Sequence, residues 1–83
     1  MAKSNKQEIL VVEAGWVFLG VVGASANADS LRLNDAHVIR AWGTTKGLGQ
    51  IALEGPTKET VLDACGVVDI PKGKVLFRIP CIY

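Results

Sequence analysis

The chain has 83 residues, 49% of them hydrophobic, with nine Lys and Arg against eight Asp and Glu and a formal net charge of +1. A single domain of this length hides only roughly 60% of its unfolded surface, so its core is thin. The balanced charge excludes the basic footprint of a general nucleic-acid binder and the acidic run of a disordered tail.

Residues 1–7 are polar and read as a flexible N-terminus ahead of one small β-barrel domain over 8–83. The start of the chain imitates a secretory leader, with Lys3 and Lys6, an apolar stretch from Ile9 to Val22, and Ala26-Asn27-Ala28 as a small-residue site. Glu13 interrupts that stretch, where an acidic residue is costly. The β-branched residues Ile9, Val11, Val12, Val17, Val21 and Val22 favour strands instead. A membrane-spanning helix fails on the same stretch, which holds Glu13, Gly15 and Gly20.

Residues 8–14 read as a first strand, and Gly15 separates it from 16–22, a second strand or a bent continuation. Gly20 inside it predicts a bulge or kink of the kind that curls a sheet into a barrel. The consecutive large residues Trp16, Phe18 and Leu19 reach both faces of that strand, and one face is expected to meet another subunit. The stretch 23–30 is a small polar loop. Leu31 and Leu33 then alternate with Arg32 and Asn34, Asn34-Asp35 turns or bulges the chain, and 36–42 form another strand.

Segment 43–56 breaks the β pattern. Thr44 or Thr45 could cap a single helical turn across 47–54, ended by Gly55 and Pro56, and a loop is the competing reading. Short strands are expected at 60–64, 67–70 and 74–79, with Pro71-Lys72-Gly73 turning between the last two. In the final strand Val75, Phe77 and Ile79 face inward, while Lys74, Leu76 and Arg78 face outward. Five to seven short strands at this spacing make the fold class all-β: a small barrel with one short helical turn. The hydrophobic content of so thin-cored a chain predicts a homo-oligomer.

One segment gathers charge, hydroxyls, glycines and an aromatic ring. Arg40, Trp42, Gly43, Thr44, Thr45, Lys46 and Gly47 together suit a small phosphorylated ligand. Glycines let backbone approach it, Arg40 and Lys46 supply charge, and Trp42 can stack on a base. The segment matches neither the P-loop nor the dinucleotide-binding glycine pattern.

No catalytic residues are expected. His37 lacks a nucleophile with an orienting partner, and Asp63 and Asp69 would have to converge to form an acid/base pair. Cys65 and Cys81 are expected as two buried, reduced thiols. One histidine and two cysteines fall short of the about four ligands that a zinc site needs, so neither metal nor cofactor is expected.

The run LRLNDAHVIRAWGTTKGLGQIALEG with the later KVLFRIPC resembles a family of short phage and prophage proteins of unknown function. The likeness rests on Leu31, Leu33, Ala36, Ile39, Trp42, Gly43, Leu48, Ile51, Ala52, Gly55 and Ile79-Pro80 and spans about residues 16–81. It implies a phage accessory protein: a sponge for a host-defence signalling nucleotide, an inhibitor of a host protein, or a virion part, working in the host cytoplasm. GWVFLGVV followed by LRLNDA also looks like the start of an Sm-like or SH3-like barrel. That likeness implies a ring and RNA binding, although the near-neutral charge speaks against a long nucleic acid.

Overall fold

The computed structural model describes residues 7–23 and 28–82. The expected flexible N-terminus, apart from Gln7, and residues 24–27 of the 23–30 loop lie outside them. In chain order come β1 (Gln7–Val12), a 3-10 turn (Glu13–Gly15), β2 (Trp16–Gly23), β3 (Ser30–Ala41), α1 (Leu48–Glu54), β4 (Val61–Pro71), a second 3-10 turn (Lys72–Lys74) and β5 (Val75–Pro80). The strands form a single antiparallel sheet in the order β4-β3-β2-β1-β5. The stretch that imitates a leader thus supplies β1 and β2, two of the three inner strands.

Two predicted breaks are bends within continuous strands. Residues 31–34 and 36–41 belong to one strand, β3, because Asp35 takes the left-handed conformation at φ 51° and the chain bulges without turning back; the expected 36–42 strand ends one residue earlier. Likewise 60–64 and 67–70 merge into β4, where Gly66 absorbs the bend at φ 75°. Opposite the β3 bulge lies Gly20 of β2, and a Cβ there would stand 3.2 Å from the Ala36 Cα and 3.2 Å from the Asn34 carbonyl oxygen. The β2–β3 register shifts at this point, between Leu19 and Val21.

The bend gives the sheet two apolar clusters. In the first, Ile9, Val17, Leu19 and Ile39 pack with Ile51 and Ala52 of α1 and with Cys81. In the second, Leu10, Val12, Leu33, Ala36 and Ile70 pack with Phe18, Val68 and Val75. Ile70 and Val75 come from the two outer strands, so the sheet curls until its ends share one core. No ladder joins β4 to β5 among the described residues. The consecutive apolar runs of β1 and β2 therefore serve two internal clusters, one covered by α1 and the other enclosed by the curled sheet, while Trp16 at the start of β2 stays 55% exposed.

Within segment 43–56 the structure selects the helix. Gly47 at φ 80° and Gly55 at φ 89° bracket it, the Gly55 N–H donates to the Ile51 carbonyl at 2.8 Å, and Gln50 Oε1 accepts from the Lys46 N–H at 3.1 Å. The N-cap is Gly47, so neither threonine caps it as expected. Its stability comes from burying Ile51 and Ala52, which outweighs the weak propensity of Gly49.

Phe77 departs from the expected inward pattern and is 64% exposed. The β1–β5 register shifts between Val11, opposite Phe77, and Val12, opposite Val75. Val75 consequently packs in the second cluster and Ile79 against the first, leaving Phe77 between them on an outer strand. Neither cysteine is in a disulfide; Cys81 is buried and Cys65 is exposed on the outer strand β4, contrary to the expectation that both are buried.

Urea unfolding tests these assignments. Ile51→Ala should cost about 2–5 kcal/mol, the range for emptying a buried aliphatic site. A Cβ on Gly49 meets nothing within 4 Å, so Gly49→Ala should stabilise by about 0.5–1 kcal/mol through better helix propensity.

Candidate functional site

The segment from Arg40 to Gly47 leaves the end of β3 and leads into α1 as one tight turn. Its start is clamped by two threonines that the sequence pattern did not single out. Thr60 Oγ1 donates to the Trp42 carbonyl at 2.6 Å and Thr57 Oγ1 donates to the Gly43 carbonyl at 2.7 Å. The spacing of threonines in TKET, with Thr60 Oγ1 accepting from the Thr57 N–H at 2.9 Å, was the available signal. The close approach explains Gly43: its φ is 63°, and a Cβ would fall 2.3 Å from the Glu59 carbonyl carbon.

Further along the turn the hydroxyls are committed to local structure. Thr44 Oγ1 donates to the Gly47 carbonyl at 2.9 Å, and Thr45 Oγ1 donates to Gln50 Oε1 at 3.3 Å. Trp42 lies close to Gly47, where a Cβ would sit 3.6 Å from the indole Cζ3, and the ring is 45% exposed. Lys46 is exposed and its ammonium has no ion-pair partner among the described residues.

Arg40 points elsewhere. Its Nε donates to Asp63 Oδ2 at 2.7 Å and its Nη2 to Asp63 Oδ1 at 3.4 Å. That hydrogen bond, reinforced by the carboxylate charge, raises the guanidinium above its ordinary value. The pair lines a groove of about 480 Å³ with Trp16, Ala14, Gly15, Val38 and Cys65. Trp42, Gly43, Thr44, Thr45, Lys46 and Gly47 do not line it. The seven expected site residues are therefore divided: Arg40 faces the groove and the other six form the turn.

The pattern of pairing repeats across the sheet. Arg32 holds Asp69 at 2.8 Å, Arg78 holds Glu8 at 3.0 Å and Lys74 holds Glu13 at 3.2 Å. Asp63 and Asp69 each face their own arginine, so they do not form a carboxylate pair. Asp63 stands opposite Val38 in the β3–β4 register and His37 opposite Ala64, which puts the Asp63 and His37 side chains on opposite faces. His37 Nδ1 is buried without a hydrogen-bond partner. No group of three or more His, Cys, Asp or Glu suited to a metal ion occurs among the described residues. No described helix is long and apolar enough to cross a membrane.

Two measurements follow. Gly43→Ala forces a left-handed alanine into backbone, so it should destabilise by at least ~2 kcal/mol in urea. The Arg32 hydrogen bond holds the Asp69 carboxyl below its ordinary value of 3.8. A lowered folded value means that this pair stabilises above the ordinary carboxylate range and that the gain is lost as pH falls through the lowered value. Asp69→Asn should thus be slightly less stable than wild type at neutral pH and converge with it in acid.

No family model and no curated protein matches the chain, so the phage-family resemblance gains no support from them. Among solved structures the chain is similar to a heptameric archaeal Sm protein, described for its implications for the eukaryotic snRNP core. The two share 18% identity over 92% of this chain and 85% of that chain, with a TM-score of 0.58. At that identity the likeness concerns the fold, which is a small Sm-like barrel with one short helix inserted between β3 and β4.

Proposed function

We propose that this protein is a non-catalytic binding module that works as an assembly of several copies joined edge to edge. The observation that carries the reading is the pair of free sheet edges. Among the described residues β4 and β5 each pair with one neighbour only, and an unpaired strand edge is a template for another chain unless something covers it. The charges of these strands are taken up inside the chain, Asp63 by Arg40, Asp69 by Arg32 and Arg78 by Glu8, so what the edges offer is backbone and apolar side chains. Val67, Leu76 and Phe77 on these strands are 58%, 56% and 64% exposed. Joining β4 of one copy to β5 of the next is a head-to-tail contact that closes into a ring when the rotation allows. The heptameric state of the similar archaeal Sm protein supports such a ring.

Within that assembly the protein captures a small phosphorylated ligand, such as a signalling nucleotide, at the turn that carries Trp42 and Lys46. The Lys46 ammonium, which has no ion-pair partner among the described residues, supports this reading, since a phosphate would give it a charge-assisted partner. The accessory role in a phage, expected from the LRLNDAHVIRAWG pattern, belongs to the same proposal. A structural or host-protein-binding role is the second reading, favoured by the exposed Leu76, Phe77 and Val67.

Light scattering should give a mass several times the 8.8 kDa of one chain. Phe77→Asp replaces an exposed apolar side chain of the β5 edge by a charge and should lower the mass toward one chain while the fold persists by circular dichroism. A monomer at all micromolar concentrations would contradict the assembly. In a thermal-shift panel of mononucleotides, a ligand at 100 times its Kd should stabilise by ~2.7 kcal/mol, and Lys46→Ala should abolish the gain. If no nucleotide stabilises the chain, the structural role stands alone.

A further inference from the structure

The groove at the β1–β2 turn has a composition that the sequence pattern did not reveal. Its aromatic wall is Trp16, the first residue of β2, which is 55% exposed. The indole is held in place by Phe18, whose ring lies 6.2 Å away at an interplanar angle of 13°. Phe18 in turn packs against the second core cluster. A large ring that is anchored by stacking and still open to water is preorganised to stack again, because little side-chain freedom remains to be lost.

Beside it the Arg40–Asp63 pair presents guanidinium N–H groups next to carboxylate oxygens. Adjacent donors and acceptors complement the edge of a heterocycle that alternates acceptor and donor atoms. The pair is neutral as a unit, which suits an uncharged ring better than a phosphate. Small residues keep the space open: Ala14, Gly15 and Ala64 line the groove, and a Cβ added to Gly15 would meet nothing within 4 Å. Ala14 is held in the left-handed region at φ 67°, strain of the kind that collects at ligand sites.

We infer that this groove binds a nucleobase-type planar heterocycle, with Trp16 as the stacking residue and Arg40 and Asp63 reading the ring edge. The inference rests on the small-ligand reading above and deepens it: the base is recognised at Trp16, and Trp42 belongs to the turn. A free nucleotide and a base of an RNA strand would offer the same ring.

The test uses the full chain with Trp42→Phe, which leaves Trp16 as the only tryptophan, since the sequence contains two. Adenosine, adenosine monophosphate, ribose 5-phosphate and a nine-nucleotide adenylate strand are titrated against its fluorescence. Adenosine should quench Trp16 saturably and ribose 5-phosphate should not. Trp16→Leu should weaken adenosine, followed by calorimetry, by roughly tenfold or more, the scale of one stacked base. Asp63→Asn exchanges an acceptor for a donor and should reorder the affinities of adenosine, guanosine, cytidine and uridine, a readout that holds even if Trp16→Leu folds poorly. Binding of adenosine marks a free nucleotide as the source, and binding of the strand without adenosine marks RNA. Both support the groove. If ribose 5-phosphate binds as tightly as adenosine monophosphate and loses affinity only in Lys46→Ala, the groove is wrong and the phosphate reading survives. If none of the four binds, both fall.

Discussion

Everything in this fold depends on one close approach, that of Gly20 in β2 to the backbone of β3 at Asn34 and Ala36. No side chain fits there without displacing backbone, so β2 and β3 meet more closely than side chains would allow. Asp35 bulges in the left-handed region at the same level and bends β3 with them. A flat five-strand sheet of these residues would expose one of its two apolar faces. Bent at this point, it encloses Leu10, Leu33 and Ile70 on one side and leaves Ile9, Leu19 and Ile39 to be covered by α1 on the other. The helix is the complement of the bend, which is why seven residues with two glycines nearby are enough: Ile51 is fully buried and Ala52 nearly so.

The same bend determines what remains open. Curling brings Ile70 of β4 and Val75 of β5 into one cluster without pairing their strands. Side chains close the barrel and hydrogen bonds do not. The exposed apolar residues Val67, Leu76 and Phe77 sit on those outer strands, where a monomer would have no use for them. Four ion pairs, three between strands and one between the two 3-10 turns, meanwhile take up Arg32, Arg40, Lys74 and Arg78. Exposed pairs of this kind contribute little to folding, and their main effect is to leave a nearly neutral surface.

Much of the fold was legible in the residues. β-branched runs marked β1 and β2, Gly20 marked the bend, period-2 alternation marked the start of β3, and Gly55 with Pro56 marked the end of α1. Breaks in the pattern at Asn34-Asp35 and Gly66 suggested strand ends, because a bulge and a turn draw on the same residue types and only tertiary pairing separates them. The fate of Phe77 was hidden for a related reason: a register shift in β5 reverses side-chain direction without changing the alternation that a sequence shows. Of the site, Arg40 was found and its groove was not. Trp16 reads as core when Phe18 and Leu19 follow it, and Asp63 lies 23 residues from Arg40 in the chain.

The central claim is that β4 and β5 are edges completed by neighbouring copies. Hydrogen–deuterium exchange at two protein concentrations addresses it strand by strand. Backbone amides of β4 and β5 should be protected at high concentration and exchange faster on dilution, while those of β2, paired on both sides, stay protected throughout. Equal and concentration-independent exchange in the outer strands, slow or fast, would contradict the account.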